Sequence, residues 1–181
     1  MKQGKKLLIL PAVAVLLGMG TGCSDNRGNK AQDMAKKALM ASVDNPASVK
    51  IVGISKPDSV FGREYVTMKE KMALSVAMMK ISRRFMEDTD FDNPDTESHI
   101  MSEQMKRQMD AMTALRSLMV TENLKPAGDE ASLERKPFSG WKVKIEYEAT
   151  DSDGQPYRSE YWFIMDKEAQ CVIRSFEIPL L

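Results

Sequence analysis

Side chains able to act as nucleophiles or as acid–base groups near neutral pH are few in this sequence. Two cysteines, Cys23 and Cys171, and one histidine, His99, are all it has of thiol and imidazole. A Cys–His couple needs the thiol within hydrogen-bond reach of the ring, and the pairing that is arithmetically open is His99 with Cys171. Yet His99 falls near a helix N-terminus and Cys171 in a strand, with nothing to join them, so Cys171 reads as a small buried hydrophobe. G-x-S-x-G, H-E-x-x-H, C-x-x-C and glycine-rich phosphate loops are missing. Hydrolases that use two carboxylates need no such motif, which keeps a metal-dependent or hydrolytic enzyme as the third-ranked reading. No catalytic residue is assigned, and the expectation is a protein that is not an enzyme and carries no cofactor.

Two further patterns could bind metal. Asp88, Asp90 and Asp92 give the D-x-D-x-D start of a calcium loop between two helices. Such a loop wants Gly at its sixth position and Glu at its twelfth; here they are Asn93 and His99. The expectation is a solvated interhelical turn whose acids favour the start of the next helix. Methionines are the second pattern: ten of the fifteen fall between Met68 and Met119. Thioethers are soft ligands that select Cu(I), and His99 lies close to Met101 and Met105. Methionines three and four residues apart also describe a packed helix face, where Met fills irregular gaps. Packing is the reading adopted, with Met101, Met105, Met109 and Met112 as candidates for lining a groove for a partner or an apolar ligand.

The start of the chain carries the most specific signal. Lys2, Lys5 and Lys6 precede the apolar run LLILPAVAVLLGMG, and Gly20, Thr21 and Gly22 lead into Cys23. The run is shorter than the ~20 residues of a membrane span and suits a secretory h-region of ~7–15. This stretch resembles the lipobox of bacterial prolipoproteins, with Gly20 where a Leu is usual. The resemblance implies cleavage between Gly22 and Cys23, an S-diacylglycerol and an N-acyl group on Cys23, and anchorage to a bacterial membrane of the cell envelope, by expectation the outer membrane. Two or more acyl chains give stable anchoring where one does not.

Loss of 22 of the 181 residues leaves 159, enough to bury about two-thirds of the unfolded chain's surface. The removed part takes three lysines and no acid, so 26 basic and 26 acidic residues become 23 and 26. A slightly acidic chain without a basic cluster gives no support for nucleic-acid binding. With Cys23 acylated, Cys171 has no intramolecular disulfide partner.

The elements that must position these residues follow from periodicity. Residues 1–22 are the signal peptide, 23–30 a polar flexible tether, and 31–181 one domain. Ala31, Met34, Ala35, Ala38 and Leu39 recur at helical spacing, and Asn45-Pro46 ends that helix. Val49–Ile54 reads as a strand closed by Lys56-Pro57-Asp58. Thr67-x-x-Glu70 is a capping box opening a helix with two apolar stripes. Met68, Met72, Val76, Met79 and Met86 form one; Leu74, Met78, Ile81 and Phe85 form the other. Such a helix is sandwiched or offers one side to a partner. Asn93 and Pro94 cap the next helix, whose stripe is Met101, Met105, Met109, Met112, Leu115 and Met119, so the hairpin should be lined with methionine. After a loop over 125–140, strict alternation from Trp141 to Thr150 marks a strand with one apolar and one charged, solvated face. Tyr157–Met165 and Cys171–Ile178 complete a three-stranded antiparallel meander. Trp162 and Ile164 share the charged face by parity, which leaves open whether helices cover them. The sum is an α+β, two-layer domain. For function, the leading expectation is a lipid-anchored, non-enzymatic binding or structural module with an envelope protein partner. The runner-up is a carrier of an apolar ligand in the Met-lined hairpin.

Overall fold

A computed structural model describes residues 26–62, 64–88, 102–123 and 137–180. Its spine is β3 (Phe138–Thr150), whose alternating residues turn Val143, Ile145 and Tyr147 to one face and Lys142, Lys144 and Glu146 to the other. β4 (Pro156–Met165) and β5 (Val172–Pro179) follow it antiparallel, as the meander expected. On the other edge of β3 lie two short strands end to end, β1 (Lys50–Ile54) and β2 (Asp58–Phe61), both antiparallel to it. Only the first of these was expected. Pro57 has no N–H to give a ladder, yet it merely interrupts the edge: the Ser55 N–H donates to the Lys144 carbonyl at 2.9 Å, and pairing resumes at Asp58.

Three helices complete the described part: α1 (Asn26–Ser42), α2 (Met68–Asp88) and α3 (Glu103–Asn123). The α+β class is as expected, but the helices cover both faces of the sheet. α1 sets Ala31, Ala35 and Leu39 against Val143, Ile145, Tyr147 and Phe163. These residues recur every fourth position, the spacing of one helix face. On the opposite face Trp162, Ile164, Phe176 and Ile178 are buried under Leu74 and Ile81 of α2 and Ala111, Leu115 and Leu118 of α3. The parity of Trp162 and Ile164 therefore marks a second core, and two layers become three.

Other boundaries shift. α1 begins at Asn26, so residues 26–30 are helical and not part of a flexible tether. β3 begins at Phe138, inside the expected loop. Gly140 is required there, because a Cβ would collide with the Met165 carbonyl oxygen. α3 is capped by Ser102, whose hydroxyl accepts from the Met105 N–H at 3.2 Å; the expected caps Asn93 and Pro94 lie outside the described residues.

Candidate functional site

Between α2 and α3, on the side away from the sheet, runs an open groove of about 750 Å³. That volume is in the range of ligand-binding clefts. Met78, Met79 and Met86 of α2 face Met109 and Met112 of α3 across it, and Arg83 and Arg116 are its charged lining residues. It exists because α2 has two apolar stripes and the sheet takes only one. Leu74 and Ile81 are buried, while Met68, Met72, Val76, Met79 and Met86 are all 47–73% exposed. On α3 the buried residues are Gln108, Ala111, Leu115 and Leu118, which share only Leu115 with the expected stripe, while Met112 packs partly buried beside them. Short Ala111 lets the helix approach the sheet closely, and Met109 is turned outward. Of the four candidate methionines, Met109 and Met112 line the groove, Met105 does not, and Met101 lies outside the described residues.

The hairpin is pinned at one end by an ionic centre. The capping box forms as its sequence implied: the Glu70 N–H donates to Thr67 Oγ1 at 3.3 Å, and the Thr67 N–H donates to Glu70 Oε2 at 2.9 Å. The same carboxylate takes Lys142 Nζ at 2.6 Å and Lys144 Nζ at 2.8 Å. Lys142, expected on a solvated face, is 2% exposed, with Asp58 as a further partner at 3.1 Å. Lys144 Nζ also lies 3.7 Å from the centre of the Trp162 ring, a cation–π contact. Burial by itself would raise the Glu70 pKa. Hydrogen bonds from the two lysines and from Thr67 outweigh it and hold the carboxyl at about 2. The rest of that face is as expected, with Arg158 paired to Glu146 at 2.6 Å across the strands.

Arg107 fixes α3. Its guanidinium lies 3.5 Å over the Tyr157 ring and 3.6 Å from Glu177, which also accepts from the Tyr147 hydroxyl at 3.0 Å. Burial and the neighbouring Glu177 carboxylate push the Tyr147 phenol well above its ordinary pKa, and burial raises Tyr157 as well. For Arg107, burial works against the charged form, but Glu177 and the two tyrosines outweigh it and raise the pKa. Two more polar cavities, about 470 and 420 Å³, share Arg107 as a wall. Its guanidinium is already engaged by protein groups.

Other expected sites come out differently. Cys171 is exposed, just ahead of β5, with its N–H on the Asp166 carboxylate; the expected buried position is corrected. It lies at a turn, where the apolar face of β5 has not begun. Asp88 is the last residue of α2. Gly22, Cys23, Asp90, Asp92 and His99 lie outside the described residues, so neither the Cys–His couple nor the calcium loop is placed. Among the described residues no group of three His, Cys, Asp or Glu side chains could hold a metal ion, and no helix is long and apolar enough to cross a membrane. No family model matches this chain, and no curated protein or solved structure is significantly similar to it.

Sequence reasoning missed the Glu70–Lys142–Lys144 centre and the arginine rim of the groove. The capping box exposed Glu70 as a cap, but its second role needs the position of β3, which no local pattern contains. The outward stripe on α2 was legible; its pairing with Met109 and Met112 was not.

Proposed function

We propose that this is a lipid-anchored protein of the bacterial cell envelope that works by binding, and that its α2–α3 groove takes an amphipathic helix from a protein partner. The observation that carries it is the outward methionine surface, which a domain with no partner has no reason to expose. Met-rich grooves between helices suit such ligands because the thioether side chains adapt to the knobs of a docked helix. At the rim Arg116 is exposed and Arg83 pairs with Glu87 at 3.1 Å; with no acidic side chain among the described lining residues themselves, the groove favours a helix flanked by acids. A second reading has its own support: the groove's volume also fits an acyl chain with an anionic head.

A photo-crosslinking residue at Met79, with one at exposed Lys37 on α1 as control, separates these in native membranes. A discrete protein adduct from position 79 alone is expected, mapping to an amphipathic segment and lost when Arg83 and Arg116 are changed to Glu. A lipid adduct would favour the second reading. No adduct, or one within the chain itself, would refute both. The anchor is checked separately, since Cys23→Ser must abolish detergent-phase partitioning.

A further inference from the structure

With Cys23 acylated as proposed above, the start of α1 dictates how the domain sits, and the inference rests on that anchor. Three peptide steps separate Cys23 from Asn26, the first helical residue. At full extension they reach only about 10 Å, about the diameter of one helix. Whichever end of the domain holds the α1 N-terminus is therefore kept against the bilayer.

That end can be traced by contacts. A Cβ added at Gly28 would meet the Pro57 ring at 3.6 Å, and Gln32, one turn on, donates to the Ser55 carbonyl at 2.9 Å. Asp58, the next residue, pairs with Lys142, and Lys142 with Glu70 in the first turn of α2. Beyond Asp58, β2 continues the same way to Phe61, opposite Phe138 at the start of β3. The α1 N-terminus, Phe61 and the first turn of α2 thus share one end of the molecule. It exposes large apolar side chains: Phe61 is 50% exposed, Met68 73% and Met72 66%. Arg27, Lys30, Lys56, Lys69 and Lys167 are exposed with them. Of the acids nearby, Asp58 pairs with Lys142 and Asp33 with Lys36; Glu64 and Glu168 are exposed as well. Apolar side chains among an excess of lysine and arginine suit a surface of anionic headgroups.

We infer that this end face, through Phe61, Met68 and Met72, rests on the bilayer that holds the Cys23 lipid. The groove then stands off that surface. Met78 is ten residues along α2 from Met68 and Met86 eighteen, distances of about 15 and 27 Å at 1.5 Å per residue. The same helix touches membrane at its start and presents its far half to a partner in the aqueous envelope.

Methionine oxidation reads this directly. The lipidated full-length protein is reconstituted in phosphatidylethanolamine–phosphatidylglycerol vesicles, recovered by flotation, treated with peroxide and analysed by peptide mass spectrometry. The reference is the same protein with roughly ten Gly/Ser residues inserted after Asp25, a flexible tether with a mean reach near 17 Å. Met68 and Met72 are expected to oxidise several-fold more slowly in the parent than in the insertion protein, with Met79 and Met86 equally fast in both. Equal rates at Met68 and Met72 would overturn the docking. Slowing at all four would overturn it too, showing α2 lying flat; slowing confined to Met79 and Met86 would report groove occupancy alone and overturn it as well. Failure of the parent to float would remove the anchor, and this inference with it.

Discussion

Replacing Glu70 by Gln tests what holds the hairpin to the sheet. The substitution keeps an oxygen for the capping box and removes the charge that both lysines share. A fall in pKa from 4.5 to about 2 corresponds to roughly 3 kcal/mol at ~1.36 kcal/mol per unit. The Glu70 side chain is 15% exposed, so solvent screening takes only a little from that figure. Lys142, 2% exposed, is left with the exposed Asp58 as partner, and a buried charge robbed of its counter-ion costs ~3–5 kcal/mol. Expected at pH 7 is a loss of about 2–4 kcal/mol, or about 4–16 °C in Tm at ~2–4 °C per kcal/mol for a chain this size. The pH dependence has a definite sign. A carboxylate with a depressed native pKa stabilises above its unfolded value and loses that contribution as pH falls through the native one. The gap between parent and Glu70→Gln is therefore full above about 4.5 and closes as pH approaches about 2. Guanidinium unfolding at pH 7 and pH 3, followed by the fluorescence of the two buried tryptophans, Trp141 and Trp162, measures it. A gap below about 1 kcal/mol at pH 7 would mean the centre behaves as a surface ion pair, and a gap equal at both pH values would refute the linkage. Changing Glu70 and Lys142 together to Met should recover part of the loss, because an apolar pair leaves no charge buried.

Gly140→Ala should cost at least about 2 kcal/mol, visible in denaturant midpoints, since the new methyl meets backbone that cannot turn away. Tyr147→Phe should cost about 1 kcal/mol through the lost bond to Glu177. In alkaline titration of the native protein, the phenolate absorbance that this variant lacks should belong to the part developing above about pH 10. Thiol titration of folded, membrane-extracted protein should find one reactive cysteine per chain, the exposed Cys171; two would mean that Cys23 is not acylated.

Local pattern carried much of this fold. Strict alternation set the register of β3, and Ala31, Ala35 and Leu39 marked the buried face of α1, because one buried face imposes its own period on the sequence. Thr67 and Glu70 fixed the start of α2 through a bond made within one turn. Even the surplus stripe Met68–Met86 was visible, as more apolar surface than one sheet contact needs. Where partners lie far apart in sequence, the pattern gave no guidance. Lys142 has the period of a solvated lysine and became buried because Glu70, 72 residues away, arrives above it. Trp162 and Ile164 have the parity of the charged face and became core because the hairpin covers that half of the sheet. Ala111 outranked Met109 for the sheet because space between packed layers selects by size as well as by hydrophobicity. The sequence alone determined most of the elements, the inward faces of α1 and of the β3–β4 pair toward α1, and the motif at Cys23. Tertiary structure decided which of two apolar stripes stays outside, and so where the groove lies. Burial is settled between elements, and a single element's period cannot say which neighbour will come to cover it.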